Sequence, residues 1–282
     1  MLKKRRVIKM NLKSKQSFSF FFVSMFLQLP VLIKLTLLQV QRRKALFFLF
    51  SLLAFYLLGE WFCTSTFGDN ITKGVSVGTY FTLSSLWVTV FLVMMTSDLL
   101  RQDLDSQVHT LWLSRPLDPL VYLAGKGITL LILVMLFLVG AFAIHSAFAM
   151  EIPWDFLLYQ GVMFLSYGFL VVFALLITLT ANQTISVLLS FGLLLGTAIL
   201  DFIVYNGVVD GSAELAENQK LFVKIAYWVL PQLGTVYYHS GRLLEGKVED
   251  PFSYGPYSFL QVGAWILLLK AALIGATRRK EI

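Results

Sequence analysis

The residues that could carry chemistry in this chain of 282 residues are few and widely separated. Three histidines, His109, His145 and His239, are divided by long apolar segments and do not converge on one metal ion. The single cysteine, Cys63, excludes an internal disulfide framework and a cysteine-based metal cluster. The spacing supports no Ser-His-Asp triad and no pair of catalytic carboxylates, and no G-x-x-x-x-G-K-[ST] loop is present to bind ATP phosphates. The sequence therefore predicts a chain that is not an enzyme and that itself binds no cofactor or metal.

The composition is that of an integral membrane protein. The chain is 57% hydrophobic and 14% charged, whereas soluble domains carry about 25% charged residues. Its net charge of +7 matches seven basic residues near the start, and no acidic residue precedes Glu60. These seven are Lys3, Lys4, Arg5, Arg6, Lys9, Lys13 and Lys15. A basic tail beside a membrane is attracted to anionic lipid, and we expect lipid, not nucleic acid, to be its partner.

Six apolar runs have about the 20 residues that an α-helix needs to cross the hydrocarbon of a bilayer. They are Ala45–Phe62, Val77–Leu99, Gly127–Ala149, Phe156–Thr180, Thr184–Tyr205 and Pro256–Thr277. Each must be helical, because isolated strands would leave their backbone polar groups unpaired in lipid. The sequence predicts an all-α integral membrane protein with six transmembrane helices.

The basic residues near the ends of these runs predict their orientation. Residues 42–44, the loop 100–126 and residues 278–280 carry arginine and lysine, and six spans bring all three to one side. Cytoplasmic loops are the ones enriched in basic residues. We therefore expect a multi-pass protein of the plasma membrane, with both termini in the cytoplasm and residues 206–255 as a long outer segment.

Two amphipathic segments flank the predicted spans. Within residues 18–44, Val31, Leu32, Leu35 and Leu38 share one helical face opposite Lys34 and Gln41, a pattern that predicts a helix lying along the membrane interface. Residues 1–44 are thus a basic cytoplasmic tail plus an interfacial helix, and residues 45–282 form the six-helix membrane domain. Residues 221–240 carry a second apolar stripe that Pro231 ends. If this segment were a seventh span, the basic cluster at residues 278–280 would lie on the outer side, against the bias of basic residues toward the cytoplasm. We therefore expect an outer amphipathic helix.

The loop 100–126 carries the most specific pattern. Between residues 101 and 113, Leu104, Val108, Leu111 and Trp112 recur at helical spacing among polar residues. This predicts a short amphipathic helix beneath the membrane, rigidly joined to two spans, which could receive a push and transmit it to both. The alternative is a solvated loop that only connects the spans.

This loop resembles the first cytoplasmic loop of ABC-2 type transporter permeases, in the branch similar to multicopper-enzyme-maturation and gliding-type permeases. The resemblance lies in Leu111-Trp-Leu-Ser-Arg-Pro116, followed by Tyr122-Leu-Ala-Gly-Lys126. A basic residue that the family carries after the proline is replaced by Asp118-Pro119. The six spans, the helix before them and the long outer segment extend the resemblance over most of the chain.

The resemblance implies a permease, usually present as two copies, that pairs with two cytoplasmic ATPase subunits, which bind ATP and Mg²⁺. A homodimer or pseudo-dimer, a bacterial inner membrane and an extracytoplasmic accessory protein follow from the same resemblance. It makes residues 101–113 the coupling helix. The ATPase-coupling residues so implied are Asp103, Leu104, Asp105, Val108, Leu111, Trp112 and Arg115.

A few polar residues lie inside or beside the predicted spans. Lys270 lies about 12 Å from Arg278 along a helix, and an ionisable group at such depth is a candidate functional residue, although lysine can also extend to the interface. Asp201 and His145 lie near span ends, where we expect interfacial roles. Gly192-x-x-x-Gly196 would let another helix approach closely, either within the subunit or at a dimer seam.

Two other functions remain open from the sequence. The chain could be a membrane anchor or force-transmitting scaffold of a larger ATP-driven machine that moves a partner protein instead of a solute. It could also be an ATP-independent channel or carrier. That function ranks last, because the spans offer few polar residues beyond Lys270.

Overall fold

The structure is a computed structural model that describes residues 28–42, 77–106, 119–149, 155–204, 217–237 and 255–279, together with positions 47, 49–51, 54 and 58. Within this part of the chain the regular structure is entirely helical, as the composition predicts. In chain order the helices are α1 (28–41), α2 (Val77–Asp105), α3 (Pro119–Ala149), α4 (Asp155–Thr180), α5 (Gln183–Ile203), α6 (Glu217–Val229), α7 (233–237) and α8 (Gly255–Arg279).

Several helix ends follow from local chemistry. Proline is well tolerated as the first residue of a helix, where its missing N–H would have no partner, and Pro119 begins α3. Asn182 caps α5, since its side-chain oxygen accepts a hydrogen bond from the backbone N–H of Ile185 at 2.8 Å. Only residues 181 and 182 separate α4 from α5, so these two helices form a tight antiparallel hairpin.

Four helices of the described part are long and apolar enough to cross a membrane. Their spans are Pro119–Ile144, Tyr159–Thr180, Gln183–Asp201 and Tyr257–Thr277. They correspond to the last four of the six predicted spans. The predicted span Val77–Leu99 is a helix, but α2 is not among the four, and its second half carries Asp98, Arg101 and two further aspartates. Most of the predicted span Ala45–Phe62 lies outside the described residues, and the described positions within it are helical.

Helix α4 is central and packs against α2, α3, α5 and α8. Ser85 near the start of α2 is hydrogen-bonded to Tyr159 near the start of α4. At the opposite end, Leu100, Leu123, Leu179 and Thr277 line one small cleft between four helices. Helices α2, α4 and α8 therefore run in one direction, and α3 and α5 run in the other. We call the two ends of the bundle the Tyr159 end and the Asp103 end.

Helix α1 packs on the bundle along one face. Leu32, Thr36 and Val40 are buried at helical spacing, whereas Val31 and Leu38 are exposed. The sequence predicts one apolar face made of Val31, Leu32, Leu35 and Leu38, but in the structure only Leu32 of these is buried and Leu35 is half-buried. A buried threonine completes the packed face, and the exposed apolar residues point away from the bundle.

The segment after α5 enters the bundle instead of remaining on its surface. Leu233 and Val236 of α7 are fully buried in an apolar cluster with Val93 of α2, Phe169 of α4 and Val262 of α8. Phe169 lies near the middle of α4, so α7 reaches well into the interior from the Tyr159 end. Helix α6 overlaps the segment for which an amphipathic helix is predicted, and the chain after it enters the bundle as residues 230–237, which we call the re-entrant segment.

Candidate functional site

A buried cluster of polar side chains joins α1, α2 and α3 at the Asp103 end. Asp103 lies on the last turn of α2, and Tyr122 and Lys126 lie one turn apart near the start of α3. Gln39 comes from α1. Asp103 is 3% exposed and Lys126 is 2% exposed, so this is an ion pair withdrawn from solvent.

Asp103 is the centre of the cluster. Its carboxylate lies 2.5 Å from the Lys126 ammonium. The same carboxylate accepts a hydrogen bond from the Tyr122 hydroxyl and another from the Gln39 amide, the latter at 3.2 Å. A buried carboxylate is costly unless its oxygen atoms are paired. Donors from α1 and α3 supply that pairing, so the three helices are joined through one side chain.

Lys126 is equally well accommodated. Its ammonium group donates to the backbone carbonyl of Leu99 in α2 at 3.1 Å. It also lies 5.2 Å from the centre of the Tyr122 ring, a distance at which an aromatic face attracts a cation. Lysine thereby binds both the side chain and the backbone of α2.

A glycine allows α1 to approach this cluster. A Cβ atom placed on Gly125 of α3 would lie 2.9 Å from the Cβ atom of Leu32 in α1. Real side chains do not come so close, so only glycine permits this contact. The close packing of α1 on α3 places Gln39 within reach of Asp103.

The surroundings of the buried pair are mainly apolar. Within the described residues, no group of three or more histidine, cysteine, aspartate or glutamate side chains could hold a metal ion. The small cleft beside Asp103 is lined mainly by apolar side chains such as Leu100, Leu104 and Leu123. Within the described part of the chain, the pair joins α2 and α3.

The expected coupling residues have different surroundings. Asp103 is buried in the ion pair, so direct contact with another protein would require the pair to separate. Leu104 is half-buried. Asp105 is exposed and paired with Arg101 at 2.9 Å, one helical turn away. Residues 101–105 form the last turn of α2 instead of the start of a separate helix. Val108, Leu111, Trp112 and Arg115 lie outside the described residues.

The other singled-out residues are dispersed. Lys270 is exposed on α8, away from the packed interior. Asp201 is 5% exposed and accepts a hydrogen bond from the backbone N–H of Thr235 at 2.6 Å, so it caps the start of α7 from a different helix. His145 lies on α3 near the Tyr159 end. Gly192 and Gly196 are exposed, and no atom lies within 4 Å of a Cβ built at either glycine, so they do not mediate packing within the described part of the subunit.

Sequence reasoning did not assign the partners of Asp103. Tyr122 and Lys126 entered only as part of a motif, and Gln39 was not singled out. One signal was present: Lys126 lies in an otherwise apolar helix start, where a buried lysine needs an acceptor. The contribution of Gln39 depends on how α1 packs, which its own sequence does not specify.

No protein-family model matches this chain, and neither a curated protein nor a solved structure matches it.

Proposed function

We propose that this chain is the transmembrane permease subunit of an ABC transporter of the ABC-2 type. Separate cytoplasmic ATPase subunits, in two copies, bind ATP and Mg²⁺, and a second permease copy completes the transporter. Two observations support the proposal: the motif between Leu111 and Lys126 in the sequence, and helices apolar enough to span a membrane.

The Asp103–Lys126 pair carries the mechanical part of the proposal. Asp103 precedes the segment 107–118 and Lys126 follows it, so the pair closes the base of this loop. Gln39 adds α1 to the same cluster. A force applied to the loop would therefore move α2, α3 and α1 together instead of bending one helix.

In the proposed mechanism, ATP-driven closure of the partner subunits pushes on residues 107–113. The α2–α3 pair then tilts against α4, and this changes the path at a permease–permease seam or at the lipid-facing surface. A lipid-like or bulky apolar substrate suits the apolar character of the described spans.

Co-purification in mild detergent tests the proposal. We expect the full chain to retain an ATPase subunit whose ATP hydrolysis changes when the chain is present. Replacement of residues 107–113 by a Gly/Ser linker of equal length should abolish that change. The same replacement at 206–212, a segment of equal length that follows α5 in the sequence, is the matched control and should preserve it.

Two results would contradict the proposal. One is a chain that retains no ATPase subunit under conditions where it is folded. The other is an unchanged ATPase response after replacement of residues 107–113. If the ATPase responds but only a bound protein moves, without transport of any solute or lipid, the scaffold function replaces that of a permease.

A further inference from the structure

Helix α6 presents an apolar stripe that no described residue covers. Its members are each more than half exposed, and they occupy one side of a 13-residue helix. They are Leu221, Phe222, Ile225, Trp228 and Val229. The opposite side carries Tyr227, which is buried. The helix is therefore attached to the bundle by one face and turns a purely apolar stripe outward.

Hydrogen bonds to α8 set the depth of α6. The last carbonyls of α6, those of Trp228 and Val229, accept hydrogen bonds from the Gln261 amide at 2.6 Å and the Trp265 indole at 3.1 Å. The spanning part of α8 begins at Tyr257. At 1.5 Å per residue, Gln261 and Trp265 lie about 6 Å and about 12 Å inside that span. In a bilayer that this span crosses, the end of α6 would lie at the depth of the hydrocarbon.

The residues that follow α6 also hold it at this position along α8. Gln232 accepts a hydrogen bond from Ser258 of α8 at 2.6 Å, and its backbone N–H donates to Gln261 at 3.2 Å. Leu233 and Val236 then pack in the interior of the bundle. Because α7 follows α6 after only three residues, α6 cannot leave this position unless α7 also leaves the interior of the bundle.

Two lysines flank the apolar stripe on the first turns of α6. Lys224 is exposed and Lys220 is half-buried, and one helical turn separates them. Lys220 lies nine residues before Val229, or about 13 Å along the axis. With the axis of α6 parallel to that of α8, this distance returns Lys220 to the level where the span of α8 begins, which is the level of lipid headgroups.

The neighbouring surfaces favour lipid over a second copy of the chain. Helix α5, which packs beside α6, also exposes apolar residues such as Leu195 and Ile199. The only acidic residue on α5, Asp201, is buried, and α8 contains none. In a second copy, α5 and α8 would therefore offer Lys224 no exposed acidic residue, whereas phospholipid offers both acyl chains and a phosphate.

We propose that α6 is embedded in one leaflet of the bilayer, with its apolar stripe against acyl chains and Lys220 and Lys224 bound to the headgroup phosphate of an anionic phospholipid. Basic residues at this level are attracted to anionic lipid, and their long side chains extend from an apolar surface toward the phosphate. This inference requires only that the chain spans a membrane. It does not depend on the proposed transport function.

Accessibility of spin labels to oxygen and to a nickel chelate tests the location of α6. In a Cys63→Ser background, the full chain in phospholipid vesicles would carry one nitroxide at Phe222, Ile225 or Val229. Leu188, exposed on the spanning helix α5, is the lipid-facing reference, and Ser106, in the exposed turn after α2, is the aqueous reference.

We expect the oxygen-to-nickel ratio at the three α6 positions to exceed that at position 106 several-fold and to rise from Phe222 to Val229, toward the ratio at position 188. Access to nickel at the level of position 106 would overturn the proposal, because α6 would then lie in water. Protection from both reagents would also overturn it, because a protein surface would then cover the stripe.

Spin-labelled phosphatidylglycerol tests the role of the lysines. In vesicles of phosphatidylcholine with a minority of phosphatidylglycerol, K220Q/K224Q should lower the motionally restricted fraction of labelled phosphatidylglycerol, while labelled phosphatidylcholine stays unchanged. K220R/K224R keeps the charge and should retain the parental fraction. An undiminished fraction in the glutamine variant would overturn the headgroup assignment.

Discussion

At the scale of single residues, Asp103 shows how a charge can serve as a structural joint. Its carboxylate accepts hydrogen bonds from the amide of Gln39 on α1 and from the hydroxyl of Tyr122 on α3, and it pairs with the ammonium group of Lys126 on α3. Removing one member of a buried pair leaves the other charge without compensation, which costs more than the pair contributes.

We expect D103A to lower the free energy of unfolding by about 3 to 5 kcal/mol, because Lys126 would remain buried without a carboxylate. D103A/K126A should recover part of that loss, since it removes the stranded charge as well. Thermal unfolding in a single detergent measures both variants.

The exposed pair between Arg101 and Asp105 provides the control, because its side chains are 38% and 58% exposed. D105A should change stability by no more than about 0.5 kcal/mol. If D103A and D105A lower the free energy of unfolding equally, burial of the Asp103–Lys126 pair does not contribute to stability.

At the scale of elements, contacts at two glycines and one aspartate position the helices. Gly125 allows α1 to pack on α3 through Leu32. Gly234 at the start of α7 lies against α5, where an added Cβ would come within 2.8 Å of the Ala198 Cα atom and would also meet the Asp201 carboxylate. In both places a helix approaches another more closely than any larger side chain allows.

Substitution of Gly125 tests the docking of α1. G125A should destabilise the protein by about 1 to 3 kcal/mol, because the new methyl group overlaps Leu32 and displaces α1. L32A in the same chain should relieve the overlap and restore part of the loss. Thermal unfolding reports the effect.

Gly161 provides a matched control for this substitution, since it lies in α4 with no atom within 4 Å of a built Cβ. G161A should leave stability unchanged or raise it by up to about 1 kcal/mol, because alanine favours a helix. Loss of stability in G161A equal to that in G125A would show that the contact with Leu32 is not the cause.

The position of α7 depends on the hydrogen bond between the Thr235 backbone N–H and the Asp201 carboxylate. D201A removes the acceptor for the Thr235 N–H and should raise the thiol reactivity of a cysteine placed at Val236 several-fold, in the Cys63→Ser background. D201N keeps an acceptor oxygen and should stay near the parental rate. Equal labelling rates in the alanine variant and the parent would mean that apolar packing alone holds α7.

The sequence predicted the elements of this fold better than their contacts. Apolar runs of spanning length locate α4, α5 and α8 within a few residues, because hydropathy over a long window needs no knowledge of neighbours. Helix α3 begins at Pro119, eight residues before the predicted start at Gly127. Helix α7 was not predicted, since it is too short for a periodic pattern and its burial depends on α2, α4 and α8. The same holds for the candidate site. The sequence singled out Asp103 as a residue of the loop, but its burial against Lys126 and Gln39 was not predicted, because it depends on packing between distant segments.

At the scale of the whole molecule, the two ends of the bundle differ in chemistry. The Asp103 end combines the buried ion pair with the exposed Arg101–Asp105 pair. The Tyr159 end contains hydroxyl pairs, Ser85 with Tyr159 and Thr89 with Tyr237, and receives the re-entrant segment. The basic residues near the span ends predict that the Asp103 end faces the cytoplasm.

Labelling with a membrane-impermeant maleimide on intact cells tests that orientation. In the Cys63→Ser background, N218C on α6 should react, whereas Q102C on α2 should react only after the membrane is permeabilised. Both parent residues are exposed, so burial does not account for a difference. Reaction of Q102C on intact cells would reverse the topology and exclude a cytoplasmic partner at residues 107–113.

The burial of α7 also constrains the order of biogenesis. Leu233 and Val236 leave the ribosome before α8, yet Val262 and Leu269 of α8 form part of their apolar surroundings. Ser258, Gln261 and Trp265, which hold the turn before α7, also belong to α8. We therefore expect the re-entrant segment to reach its native packing only after α8 has joined the bundle, because the helix that completes its surroundings follows it in the chain.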